Sequence, residues 1–258
     1  RQQSYTAFRL GAAVRWRVPV WTSSAVRRIA GRGRLEGVEV ADVRSGAARF
    51  VPCEVVVFTG DWIPDHELAR LTGLAMDPGT RGPVVDTTLA TSRAGVFAAG
   101  NLVHAAETAD IAALSGRHAA RHIAAALHGG LEDGSARWPG SGLEDGSARW
   151  PGRGLARGPG ARAAADPVPV LVEPPLRWIS PNAIGSAAPP PLGRFVLRSA
   201  GFRRGARLEV RQDGRLLART RPVRLIPERP VHLGAGWLAR IDPTGGPVRV
   251  IAGAARRG

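Results

Sequence analysis

The 258-residue sequence has no lysine at all and holds one cysteine, one methionine and one tyrosine. A single thiol, Cys53, rules out a CxxC redox pair, an all-cysteine zinc or iron-sulfur site and any disulfide framework within the chain. Cys53 precedes an apolar run, and we read it as a small hydrophobe. No apolar run approaches the ~18 residues that a membrane span requires, and the first ten residues lack the apolar core of a signal peptide. A cytoplasmic protein without membrane contact is the expectation. The first residue is Arg1 and the only methionine is Met76, so we expect a piece of a longer polypeptide or a cleaved product.

Every one of the 36 basic residues is arginine, and the net charge is +15. Such a charge usually points to nucleic acid. Here the arginine-only usage reads as a coding bias. Residues 1–128 carry 15 Arg against 11 acids, and the rest 21 against 10. The excess alternates with apolar residues, as in ARLEVRQDGRLLART, the pattern of solvated strand faces. Aromatics do not interleave with arginine as a base-stacking platform would need. No nucleic-acid partner and no metal site are expected.

Residues 18–59 read as strands with turns at GRG and RSGA: a meander feeding EVVVF at 54–58, which is apolar on both faces like a strand covered on both sides. GRGRLEG at 31–37 is read as a tight turn. Its third glycine comes one residue late for a dinucleotide loop, and a strand pattern follows where a helix should open. Next comes a short helix, with Asp65 as N-cap, His66 helping to start it and Gly73 as its stop. RGPVVDTTLATS is extended, AGVFAAG reads as a second buried strand, and residues 108–130 read as a long Ala-rich helix. Alternating strands and helices give an α/β class.

GLEDGSARWPGS at 130–141 is repeated at once as GLEDGSARWPGR, so residues 129–166 read as a Gly/Pro-rich linker lengthened by tandem duplication, with Trp138 and Trp150 exposed in it. From 167 to 258 the pattern is β-rich, with segments VPVLVE, GRFVLRS, ARLEVRQDGRLLART, RPVRLI, GWLARID and PVRVIA, and a hairpin at Gln212-Asp213-Gly214-Arg215. A small all-β sandwich or barrel follows.

EVVVFTGDWIPDHELARLTGL followed by GPVVDTTLATSRAGVFAAGNLVHAAETADIAALSGRHAA resembles the closing part of FAD-dependent oxidoreductases of the pyridine nucleotide-disulfide reductase superfamily, in which a strand of the type TS-x-x-GVFAAGD ends at the flavin. The resemblance covers residues 1–128. It implies the C-terminal half of a Rossmann-like FAD/NAD(P)-binding fold, with residues 1–50 ending the NAD(P)H-binding domain and 51–128 returning to the FAD-binding domain. It also implies FAD and NAD(P)H as cofactors, a small-molecule substrate and hydride transfer. Gly100 would let the backbone approach the cofactor where a side chain would clash. Asn101 stands where the family usually has an Asp that bonds a ribityl hydroxyl. Thr108, Ala109 and Asp110 open a helix whose N-terminus would face the flavin's N1/C2 edge, with Thr108 as N-cap. His104 is a candidate acid/base; Asp61 and Trp62 are weaker candidates. Two departures stand out: the redox cysteine pair is missing, and the glycine-rich loops for both pyrophosphates would have to lie upstream of Arg1. A homo-oligomer, or a non-catalytic subunit completing a flavoenzyme with a partner, is the alternative expectation.

Overall fold

The computed structural model describes residues 6–58, 63–105, 108–128, 166–227 and 229–253. The duplicated linker, both of its tryptophans, Asp61, Trp62 and Glu107 lie outside the described residues. The chain divides into two units, Arg1–Asp61 and Trp62–Gly258. Among the described residues no helix is long and apolar enough to cross a membrane.

In the first unit, helix α1 (Thr6–Arg15) precedes an antiparallel meander of β1 (Ser24–Ala30), β2 (Gly37–Asp42) and β3 (Ala48–Pro52), in that spatial order. The expected meander is present. GRGRLEG is the β1–β2 connection, with Gly31 at φ +141° and Gly33 at φ +73°, and the Glu36 amide donates to the Ala30 carbonyl at 2.9 Å. A strand follows it, as a turn requires and a phosphate loop forbids. The β2–β3 turn is closed by the Asp42 carboxylate, which accepts from the amides of Arg44 (2.8 Å) and Ser45 (2.9 Å). Those amides hold its pKa below the usual carboxylate value.

Residues 54–58 do not form the expected buried strand. Val55, Val57 and Phe58 are 70–76% exposed and no ladder includes them. A strand that is apolar on both faces needs a neighbouring strand on its edge and cover on each side, and the described residues provide none of these here.

The second unit opens with α2 (Glu67–Leu71). Its N-cap is His66, whose side chain makes no capping bond, and not Asp65. Gly73 ends it as expected: φ is +72°, its amide donates to Arg70, and the Leu74 amide donates to Ala69, the paired bonds of a Schellman motif. From 75 to 99 the chain is held by turns and single bridges, Met76 to Pro83, Val85 to Thr91 and Ala90 to Phe97. AGVFAAG is therefore extended but not a strand in a ladder. The Asp86 carboxylate organises this stretch, accepting from the Thr88 amide (2.8 Å), the Thr88 hydroxyl (2.6 Å) and the Ala90 amide (3.2 Å). Helix α3 (Ala109–His128) is the long helix expected, and it buries Ala119 against Val85, Leu89, Ala98 and Val103.

The C-terminal part is a sandwich. One sheet runs β10-β8-β12-β4-β6 with β9 paired to β8, the other β11-β7-β5, where β4 is Val168–Val172, β5 Leu176–Ser180, β6 Ala183–Ile184, β7 Arg194–Ser199, β8 Arg203–Gln212, β9 Arg215–Arg219, β10 Val223–Leu225, β11 Val231–Gly234 and β12 Val248–Gly253. Pairings are antiparallel except β12 with β4. The period-two alternation puts Leu208 and Val210 of β8, Val248 and Val250 of β12, and Phe195 and Leu197 of β7 wholly inside. Asp213 (φ +47°) and Gly214 (φ +78°) make the two-residue hairpin turn, with Gln212 opposite Arg215. GWLARID is not a strand: Trp237 stacks on Phe195 (centroids 5.1 Å apart) and Leu238–Arg240 is a single 3₁₀ turn.

Expected as α/β, the described fold is therefore sheet-rich, with three helices and mostly antiparallel ladders. Buried hydrogen bonds join residues 75–105 to the sandwich. The Val85 amide donates to Asn182 Oδ1 (2.9 Å), and the amides of Asn182 and Ala183 both donate to the Val85 carbonyl (3.2 Å each).

Candidate functional site

Gly100 opens a 3₁₀ turn, Gly100–Leu102, at φ +71°. Its conformation is the reason for glycine there. A Cβ would meet only the Ala112 Cβ, at an ordinary 3.7 Å, so the close approach expected of this glycine is not one that a side chain would block within the chain. The Gly100 amide donates to Ser115 Oγ at 2.8 Å, and that hydroxyl donates to the Ala112 carbonyl at 2.7 Å. One serine thus ties the turn to the second turn of α3. Asn101 follows on the exposed surface.

Thr108, Ala109 and Asp110 are exposed at the start of α3. The Thr108 carbonyl accepts the first helical bond from Ala112 (3.0 Å), which puts Thr108 at the N-cap position. Its hydroxyl bonds the Asp110 carboxylate, which also accepts from the Ile111 amide, and these bonds hold the Asp110 pKa below the usual carboxylate value. The helix's free amides and partial positive charge are therefore already answered by a carboxylate of the chain itself.

His104 is not on that exposed ridge. Its ring lies 5.2 Å from the Trp178 ring, centroid to centroid, in the wall of a cavity of about 50 Å³. Its Nδ1 is buried without a hydrogen-bond partner. Burial first, and the Arg198 guanidinium second, push its pKa down to about 4, so the imidazole is neutral at pH 7. Arg198 is buried and sits 5.4 Å from the Trp178 ring centroid.

The same cavity is lined by Gly100 and Ser115, by the apolar Leu89 and Val103, and by Arg194 and His232 from the sandwich. Leu89, 3% exposed, holds φ +69° inside the Asp86 turn, a conformation that a γ-branched residue keeps only when its surroundings enforce it. Arg194 Nε is buried and has no partner among the described residues. His232 reaches solvent, and burial, Arg194 and Arg198, in that order, lower its pKa. In the sequence, His232 has no cluster of carboxylates or thiols near it, and no motif points to Arg194. Neither is close in sequence to Gly100 or Ser115; only the fold assembles them.

The structure thus brings Gly100, Asn101 and the α3 start together on one ridge and places His104 in the cavity beside it. Cys53 and His66 belong to neither.

No protein-family profile matches the chain, and no curated protein does. Among solved structures, the crystal structure of T. acidophilum thioredoxin reductase matches with 25% sequence identity and a TM-score of 0.40, over 48% of this chain and 41% of that one. The chain spans less than half the length of that protein.

Proposed function

We propose that this chain carries the flavin-facing segment of an FAD-dependent oxidoreductase, which transfers hydride between NAD(P)H or a small-molecule substrate and FAD. The observation that supports the reading most is the ridge itself: left-handed Gly100, exposed Asn101 and the exposed first turn of α3, fixed to one another through Ser115. The TS-x-x-GVFAAG segment that leads into it carries the family resemblance.

The ridge and the cavity differ in what they admit. Ligand pockets for drug-sized molecules measure about 300–1,000 Å³, so an isoalloxazine does not fit the ≈ 50 Å³ cavity and would lie over the exposed ridge. There the Asn101 amide can accept a ribityl hydroxyl. A neutral bond contributes about 0.5–1.5 kcal/mol, against about 1.5–3 for a charged acceptor. At the α3 start the Asp110 carboxylate occupies the electropositive end and would turn aside for, or repel, an anionic reduced flavin. FAD, when bound, supplies the electron chemistry; Asn101 orients it, and the α3 amides with Asp110 set the local charge.

Among the described residues no glycine-rich loop runs from a strand into a helix, so nothing cradles a pyrophosphate. The chain alone is accordingly expected to purify without flavin. Co-expression with a polypeptide carrying a strand-GxGxxG-helix segment, in the same frame or as a partner, should give a yellow complex with about one flavin per chain. A colourless complex of the two would sink the reading, and so would a flavin held stoichiometrically by this chain alone.

A second reading, a module that binds another subunit, is favoured by the first unit. Its exposed large apolar residues, among them Trp16, Trp21, Ile29, Phe50, Val57 and Phe58, are of the kind that interfaces cover. Sedimentation of the chain with the loop-bearing polypeptide separates the two readings: a stable complex without flavin supports the module.

A further inference from the structure

Helix α1 is 10 residues long, and among the described residues no strand packs along its length. Ala7, Leu10 and Val14 fall on one face of it at helical spacing, and all three are exposed, Val14 to 80%. A helix this short, with Gly11 inside it, is marginal in water while its apolar face stays uncovered. The chain leaves α1 through Trp16, 68% exposed, and then Val18, Val20 and Trp21, an exposed stretch that joins no ladder. The amides of Trp16 (3.3 Å) and Val18 (3.1 Å) donate back to the Ala12 carbonyl, which fixes this stretch to the helix end. The Arg49 guanidinium lies over the Trp21 ring, 3.5 Å from its centroid. Arg49 pairs with Val40 across the ladder, as Val26 does, so half-exposed Val26 extends the apolar surface on that face of the sheet.

The charge on this surface has one sign. Residues 1–35 contain eight arginines and not one Asp or Glu. Arg15 and Arg17 flank Trp16, both are exposed, and no salt bridge among the described residues includes them. A rigid protein partner would need a shaped pocket for each projecting side chain, whereas lipid closes around them and its phosphates meet the arginines. We propose that α1 and residues 16–21 form a peripheral anchor on an anionic lipid bilayer, with Leu10, Val14, Trp16 and Trp21 at the acyl boundary and Arg15 and Arg17 among the headgroup phosphates. The expectation of no membrane contact rests on the absence of a spanning segment, and an element that lies in the interface needs none. The anchor goes beyond the flavin reading and does not depend on it.

Flotation of the purified full chain with vesicles tests this, alongside quenching of tryptophan fluorescence by brominated phosphatidylcholine in the same vesicles. The chain should float with phosphatidylcholine and phosphatidylglycerol in equal parts, stay behind with phosphatidylcholine alone, and be quenched where it floats. The double variant Trp16→Ala, Trp21→Ala should bind about tenfold more weakly and lose the quenching. Arg15→Gln with Arg17→Gln should weaken binding about thirtyfold, roughly fivefold for each charge. Arg249→Gln, an exposed arginine on β12, should stay within about twofold of the wild type. No flotation with the anionic vesicles would overturn the proposal. So would undiminished flotation of the double tryptophan variant, which would mean that net charge alone holds the chain to the vesicle. A single-stranded oligonucleotide, or the loop-bearing polypeptide, that shields Trp16 and Trp21 from acrylamide where the anionic vesicles do not would assign the surface elsewhere and overturn it too.

Discussion

The three-stranded sheet of the first unit and the sandwich of the second are built from the same kind of alternating sequence, yet one leaves its apolar residues in water and the other buries them. β1 carries Val26 and Ile29 at about half exposure, and β3 carries Phe50 likewise; in the sandwich, Phe195, Leu197, Leu208 and Val250 are fully enclosed. Strand propensity and turn chemistry are comparable in the two. What differs is a second layer: β11-β7-β5 lies across the six-strand sheet and shares one core with it, whereas among the described residues of the first unit only Gly37, Val38, Val40 and Ala41 are buried. Alternation makes a strand, and a facing layer makes it a stable one.

The sharpest way to break that comparison is to cut equivalent residues in each region. Phe195→Ala should cost about 3–5 kcal/mol of unfolding free energy, whereas Ile29→Ala should fall within about 0.5 kcal/mol. Urea denaturation of the two variants measures both, and a large loss at Ile29 would mean that the first unit is covered after all. Next in size is a pH effect confined to the second unit. The His104 pKa is about 4 when folded against 6.5 when free. A base with a depressed folded pKa gives full stability above the free value and loses it as protons bind, so stability should fall by up to about 3 kcal/mol as pH drops from 6.5 towards 4. That component should vanish in His104→Phe; an unchanged pH profile in the variant would count against it. Gln212→Leu follows. The Gln212 amide donates to the carbonyls of Asp242 (2.8 Å) and Gly246 (3.0 Å), and its oxygen accepts from the Asp242 amide (2.8 Å). Its loss breaks these part-buried bonds, at about 0.5–1.5 kcal/mol each. Gly214→Ala should cost about 1–2 kcal/mol for a Cβ at φ +78°, seen as a lowered melting midpoint.

Local chemistry was the legible part of this fold. The Asp213-Gly214 turn, the Gly73 helix stop, the RSGA turn and the span of α3 each depend on residues within a few positions of one another, so the sequence states them directly. EVVVF was misread because its composition demands a covered strand while nothing in the described residues covers it. GWLARID has the apolar content of a strand, but Trp237 finds its place by stacking on Phe195, more than forty residues away in sequence. β5 and β11 were passed over because prolines crowd one and the other is four residues long, although Val231 and Leu233 offered a brief alternation. Of the site, the ridge was visible as a contiguous motif. The cavity was not, since Leu89, Ser115, Arg194 and His232 meet only through tertiary packing, and no spacing rule connects them.

The reading of the ridge turns on Asn101 most of all. In the assembled, flavin-bearing protein, the dissociation constant for FAD should rise about tenfold in Asn101→Leu and fall about tenfold in Asn101→Asp, the difference between no acceptor, a neutral one and a charged one. An affinity for FAD that is the same in all three would contradict the placement of the flavin at this turn.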